Sequence, residues 1–506
     1  MNEILCSPFT QVTESLETLV PHAIWGNVAA ARRTFAGDSS DGLESLAAVQ
    51  VDFFPAVMQE RLRALLPQIG QRLIEPVSNT INGASSSAFH DASKLGQAPL
   101  SAYGYYRLGE DGRLCFLTKS EHYHASLGHA FPGYKLLDYA RQLGIPNCTH
   151  NNTRGFITRY LEEYLTRLMS AGKSYGVLNL ETGSLACEAA LKMILIRSYQ
   201  MDPGPNTKPA PERTPIILTV GDWDGGLTAN YHGTTILTQM MRGWWPLLRE
   251  RLESGNWLKI HSVRPNSIED LDAAFAHYNQ APYSIVGFFH EIVMMNYGGI
   301  LLTPEFLNHA YALCKKAGAA TVCDEIQSGV WNKELFLCKE YGLQPDFVVL
   351  GKGFPGGEYA ASRLLFSKAY DGMAQFGALI TNGQEELASL AYLVTAHWAV
   401  ANAEHTTALG EYFQSQLLTL ADRHAKIIKG INGHRHLAAI MFTDLSLAKS
   451  ICSQLNACGL DISTQAYKSD CPPAALLKLP LITDKLAIDS VVTILDSVLS
   501  KSSASL

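Results

Sequence analysis

Charge is scarce in this chain: 17% of its residues are Asp, Glu, Lys or Arg, and the formal net charge is -7. A mildly acidic balance favours solubility and offers no basic surface for a nucleic-acid backbone. Ten cysteines are present, but no two stand as Cys-x-x-Cys or at zinc-site spacing. They read as reduced core thiols, so a disulfide scaffold is not expected and a cytoplasmic location is. The N-terminus, Met-Asn-Glu-Ile-Leu-Cys-Ser-Pro, has neither a basic start nor a long apolar stretch, and a secretory leader is therefore not expected. The most apolar of the longer uncharged runs, Leu387 to Ala403, includes His397 and Asn402 and falls short of a membrane span. It reads as a buried helix. No internal repeat is visible, and low complexity is confined to Ser85–Ser87 and the final Lys-Ser-Ser-Ala-Ser.

What is there is a globular α/β composition: 47% hydrophobic residues and 40 glycines in 506 residues. That length exceeds one simple core, and two or three domains are expected. Two short apolar runs stand out, Ala319 to Cys323 and Phe347 to Leu350. Each stops abruptly, the first at Asp324-Glu325-Ile326-Gln327-Ser328-Gly329, the second at Gly351-Lys352-Gly353-Phe354-Pro355-Gly356-Gly357. Buried parallel strands that end this way put polar groups at their carboxyl ends, where open α/β sheets bind ligands. Asp324 and Lys352 would then face one crevice.

An amine and a carboxylate so placed suit pyridoxal phosphate. Its aldehyde needs an amine for a Schiff base, here Lys352, and its ring nitrogen needs a carboxylate to stay protonated, here Asp324. The lysine must also lose its proton part of the time, which desolvation promotes. Spacing alone leaves another reading open: a solvated lysine in a glycine loop and an aspartate capping a helix.

The two motifs together resemble the signature of the class III aminotransferases, and the likeness extends from about Tyr103 to the C-terminus. That resemblance implies fold type I of the pyridoxal-phosphate enzymes, an α/β class. A large domain with a mainly parallel seven-stranded sheet covered by helices (residues 151–405) would carry the cofactor. A small α+β domain would combine residues 100–150 with residues 406–506, and residues 1–99 would be a helical N-terminal extension. By the same resemblance, Gly183 and Ser184, at the start of an Ala-rich helix, hold the cofactor phosphate. Tyr231 covers the ring face with His232 beside it, Glu291 ends a strand of the site, and Gln327 reaches the ring hydroxyl. Thr381 stands where the family has a threonine that reaches the partner subunit's phosphate, which implies a homodimer. Each residue also has a plainer reading, as helix cap or core side chain.

The chain departs from the family at Thr182 and Leu185, at Ile292 after Glu291, and at Asn432-Gly433-His434-Arg435-His436, where the family often carries a carboxylate-binding arginine. His122, His124 and His129 suggest a metal cluster, but a sheet-face or loop role fits them better, with Glu121 on the opposite face of a strand. The expected activity is amino transfer between an amino acid or amine and a keto acid or aldehyde. Aminomutase or racemase chemistry is the alternative within the fold. An oxidoreductase reading rests on Gly351-x-Gly353-x-x-Gly356, which fits a dinucleotide fingerprint only if a helix opens at Gly356. Gly172-x-Ser174-x-Gly176 matches a hydrolase elbow but lies between a helix and a strand in the wrong order.

Overall fold

The computed structural model describes residues 2–21, 23–37, 42–81, 83–84, 86–87, 95–147, 150, 152–170, 172–199, 213–221, 232–375, 377–378, 380, 383–465 and 472–503. By contacts the chain falls into two compact units. One comprises Leu16–Ala48 and Leu137–Ala396, the other Met1–Ser15, Val49–Leu136 and His397–Leu506. Among the described residues no helix is long and apolar enough to cross a membrane.

The first unit is built on seven strands: β1 (Tyr175–Leu180), β2 (Thr214–Val220), β3 (Lys259–Val263), β4 (Tyr283–His290), β5 (Ala320–Asp324), β6 (Phe347–Leu350) and β7 (Ser362–Ser367). Their order across the sheet is β1-β7-β6-β5-β4-β2-β3. The ladders joining β6, β5, β4, β2 and β3 are parallel, and β7 runs antiparallel to both its neighbours. The runs in β2, β5 and β6 are buried at every residue, as strands covered on both faces must be. Three helices of this unit matter below: α1 (Phe156–Met169), α2 (Gly183–Tyr199) and α3 (Pro304–Ala317). The core between α2 and the sheet includes Ala186, Ala190, Ile194, Ile217, Phe289, Val322 and Val349.

Helix α3 shows how local sequence sets these bounds. Thr303 caps it by accepting the Phe306 N–H at 3.2 Å, Pro304 takes the first helical position, and Gly318 ends it in the left-handed region at φ 71°. The helix joins β4 to its parallel neighbour β5, the expected crossover. After β6 the chain makes turns through the glycine loop and returns as β7, with no helix opening at Gly356. The dinucleotide reading therefore fails on topology. The Gly172–Gly176 segment likewise lies between helix α1 and strand β1, so it forms no elbow.

The second unit holds a three-stranded antiparallel sheet (Pro99–Tyr103, Tyr106–Gly109, Leu114–Phe116) and a four-stranded one (Ile428–His434, Leu437–Phe442, Ala474–Leu477, Thr464–Gln465). Helices Ala403–Arg423, Leu445–Ala457 and Lys485–Ser503 complete it. Segments of the first hundred residues pair with and pack on one another and on later parts of the chain. Thr13–Glu14 pairs with Val51–Asp52, the Tyr106 hydroxyl donates to the Leu62 carbonyl at 2.9 Å, and Phe9, Phe54 and Phe131 pack around Trp398. Residues 16–48 instead count with the first unit. Apolar spacing shows that these segments bury a face, but not which distant residues cover it.

Glu121 also differs from expectation. Ser120 to Tyr123 all have positive φ, so Glu121 sits on a left-handed turn and not on a strand. Its carboxylate accepts from Arg107 at 2.6 Å and lies 3.1 Å from His129 Nε2, and those partners hold its pKa below the usual value against the burial that raises it.

Candidate active site

The residues of interest lie at the carboxyl ends of β4, β5 and β6. Asp324 is the last residue of β5 and pairs in register with Val349 of β6. Three residues beyond Val349 is Lys352, held at φ 39°. A non-glycine residue in that region is strained, and such strain concentrates at functional sites. Burial lowers the Lys352 pKa from its ordinary 10.5 to about 8, while the charges of Glu291 and Asp324 hold it up against a further fall. The amine is therefore partly neutral near physiological pH, with two carboxylates within electrostatic reach.

Asp324 is 3% exposed, and both its oxygens are engaged. Oδ1 accepts the Ile326 N–H at 3.0 Å. Oδ2 accepts from His232 Nδ1 at 2.8 Å and from the Cys187 thiol at 3.6 Å. A carboxylate so held stays oriented without a rotamer search. The His232 ring packs edge-on to Phe289, and its Nε2 is buried without a protein partner. Beside this group, Gln327 Nε2 donates to Glu291 Oε1 at 3.0 Å, both residues being buried.

Helix α2 begins one turn after β1 ends. Thr182 caps it by accepting the Leu185 N–H at 3.3 Å. Ser184 Oγ accepts from the Thr234 N–H at 3.1 Å, tying the helix start to the segment after His232. Gly183 is needed for space: a Cβ there would stand 2.1 Å from Ile326 Cδ1, on the chain just past Asp324. The helix start is thus drawn against the carboxyl end of β5, with free N–H groups and the positive end of its dipole.

The structure therefore brings together Lys352, Asp324, Gly183, Ser184, His232, Glu291 and Gln327. Tyr231 and Thr381 lie outside the described residues. Cys187 was not singled out by its sequence. The signal was its spacing, four residues after Gly183, which puts it on the same helix face. Nor was Glu325, which is fully buried; its carboxylate accepts the Cys338 N–H at 2.6 Å and the Ser328 hydroxyl, locking the turn beyond β5. Asn296 and Tyr297 lie in a tight turn between the paired segments Val293–Met294 and Ile300–Leu301. Arg435 lies at a turn with its Nε 3.7 Å from Glu411.

These residues fit pyridoxal phosphate by their donor chemistry. A partly neutral lysine faces the aldehyde's need, an oriented buried carboxylate the ring nitrogen's, and an open helix start the phosphate's.

Residues 100–499 match the family model described as aminotransferase class-III. Among curated relatives, the mitochondrial ornithine aminotransferase of Arabidopsis thaliana is 27% identical over 319 residues, 61% of this chain and 63% of that protein. The aligned stretch thus spans somewhat under two thirds of the Arabidopsis protein. The ornithine aminotransferase of Bacillus subtilis is 27% identical over 300 residues, 56% of this chain and 65% of its own. A putrescine aminotransferase of Pectobacterium atrosepticum is 29% identical over 167 residues, covering 31% of this chain and 35% of the relative. Among solved structures, an ornithine delta-aminotransferase of Plasmodium falciparum superposes with a TM-score of 0.65 at 20% identity, covering 89% of this chain and all of the other. That likeness establishes a shared fold.

Proposed function

The chain belongs to the class-III aminotransferase family, and from that premise we propose that it transfers an amino group from an amino acid or amine to a keto acid or aldehyde, with pyridoxal phosphate attached through Lys352. The observation that carries this reading is the placing of Lys352, just past the end of β6, next to the neighbouring strand end where the Asp324 carboxylate is held by His232 and the Ile326 N–H, with burial lowering the lysine's pKa to about 8. When bound, pyridoxal phosphate supplies a carbonyl that condenses with amines and a ring that accepts the electron pair released at the substrate carbon.

The chain's own residues do the rest. Lys352, once displaced by the substrate amine, is a base of suitable strength to take a proton from the substrate carbon and return it one position along. Asp324 keeps the ring nitrogen protonated, which its fixed geometry allows without reorganisation. The N–H groups at Gly183 and Ser184 would hold the phosphate, and Gln327 with Glu291 would border the ring hydroxyl. By the family resemblance alone, Tyr231 would cover the ring and Thr381 would reach the phosphate of a second copy of the chain, which would make the working unit a homodimer. The names of the relatives direct the first donor trials to ω-amines, ornithine and putrescine.

The test is to incubate purified protein with pyridoxal phosphate, reduce with borohydride, and map the modified peptide. Modification at Lys352, lost in Lys352→Ala, supports the reading. Conversion of the cofactor to its amine form by a donor without an acceptor separates amino transfer from racemisation. Protein that takes up no pyridoxal phosphate would refute the proposal.

A further inference from the structure

We propose that Cys187 is a positioning residue for Asp324: its buried thiol donates a hydrogen bond to Oδ2 and, with His232, fixes the carboxylate that meets the cofactor ring. This rests on the functional reading above and adds to it a residue that the family motifs do not require.

Three observations carry it. First, Cys187 Sγ and His232 Nδ1 converge on the same oxygen, at 3.6 and 2.8 Å, while Oδ1 is held separately by the Ile326 N–H at 3.0 Å. The carboxylate thus has donors on both oxygens before any cofactor arrives. Second, Cys187 is 0% exposed. Burial pushes its thiol pKa well up, and the neighbouring Asp324 pushes it further. The sulfur therefore keeps its proton and acts as a donor, not as a nucleophile or an oxidation-prone thiolate. Third, Cys187 stands one helical turn inside α2, whose start is drawn against Ile326 by the absent side chain of Gly183. The thiol is thus delivered by the helix that also presents the phosphate-binding end, which couples the two contacts mechanically.

A second donor on Oδ2 restricts rotation of the carboxylate about its Cβ–Cγ bond. An S–H donor is weak, so its loss should cost less than loss of His232, yet the acceptor is an ion and the bond is desolvated.

The experiment compares full-length wild type with Cys187→Ala, Cys187→Ser and Cys187→Val. Each apoprotein is titrated with pyridoxal phosphate, the absorbance of the bound cofactor is recorded, and the His232 Nδ1 proton is followed by NMR in 15N-histidine-labelled apoprotein, assigned with His232→Gln. Removing the donor in Ala and Val is expected to weaken cofactor binding roughly five- to tenfold, to shift the cofactor band, and to move the His232 proton resonance. Serine, which keeps a donor, should return all three to near wild type. The Val variant fills the space left in Ala, so a shared defect in both is not a cavity effect. Equal damage in Ala, Val and Ser would assign Cys187 to packing and overturn the proposal, as would wild-type behaviour in all three. Retention of zinc by the apoprotein, lost in Cys187→Ser, would also overturn it, since Cys187, His232 and Asp324 would then be ligands. Wild type that binds no pyridoxal phosphate sinks the functional reading itself, whereas wild type that binds it while the variants match sinks only this inference.

Discussion

Lys352 carries a measurable cost to the fold. Its folded pKa of about 8, against 10.5 for the unconstrained side chain, arises first from burial, with Glu291 and Asp324 partly offsetting it. Because the folded value is depressed, the unfolded chain binds more protons at Lys352 than the folded chain between pH 8 and 10.5. Wild-type stability therefore rises with pH through that window, and the penalty is full below pH 8. The shift corresponds to about 3 kcal/mol. Lys352→Met keeps an unbranched side chain, one heavy atom shorter, at the same backbone position of φ 39° while removing the charge. Apoprotein carrying it should unfold at higher denaturant than wild-type apoprotein at pH 7, by up to about 3 kcal/mol. The advantage should shrink as pH rises through 8 and vanish near 10.5. The same depression leaves about a quarter of the amine unprotonated at pH 7.5, against about one part in a thousand for an ordinary lysine. Urea melts of both apoproteins at half-unit pH steps give the difference curve directly. A Met variant less stable than wild type at pH 7, or a difference that does not change from pH 7 to 10, would show that the lysine is solvated and the argument for its activation wrong.

Gly183→Ala places a methyl 2.1 Å from Ile326 Cδ1. The Ile326 side chain or the helix start must give way, and pyridoxal phosphate should bind about tenfold more weakly, with Ile326→Ala in the same chain restoring affinity in an apoprotein titration. Glu386 accepts the buried N–H groups of Ile157 at 2.8 Å and Thr158 at 3.1 Å, which caps α1 from a distance. Glu386→Ala should destabilise the protein by about 2 kcal/mol, read from the urea midpoint, and leave the cofactor spectrum unchanged in the folded fraction. His436 is fully buried, with Nε2 donating to the Thr406 carbonyl at 2.7 Å, and burial depresses its pKa to about 4. The unfolded chain takes up this proton below pH 6.5 and the folded chain only near 4, so stability is lost as pH falls between those values. His436→Gln should flatten that limb by roughly 3 kcal/mol in pH-dependent melts, and an unchanged acid limb would count against the buried neutral imidazole.

Legibility in this sequence follows the range of the interactions. Where one stretch decides, the reading is sharp. The apolar runs of β5 and β6 end where Asp324 and Lys352 begin, and Thr303, Pro304 and Gly318 bound α3 by capping chemistry internal to that helix. The same holds for the hairpin through Glu110–Gly112, where Leu108 pairs with Leu114. Where the deciding partner is remote, the sequence is silent. Nothing near Glu386 announces that its carboxylate caps a helix more than two hundred residues earlier, and nothing near Phe9 names Trp398 as its neighbour. Glu121 is misread for a related reason. A strand is expected there, but the backbone closes a left-handed turn, with the Tyr123 N–H donating to the Lys119 carbonyl at 2.7 Å, and the partners of the Glu121 carboxylate, Arg107 and His129, lie outside that turn.

The active-site cluster combines both kinds of information. Asp324 and Lys352 are visible because each ends a strand, yet the donors that fix Asp324 come from α2 and from the segment after β2, 137 and 92 residues away. Their meeting depends on the sheet order, which sets β5 between β4 and β6, and on one missing side chain at Gly183 that lets α2 approach. The motif therefore specifies which groups react, whereas the topology specifies how firmly they are held. Substitutions that leave both motifs intact, such as those at Cys187, should accordingly change cofactor affinity without changing the reaction.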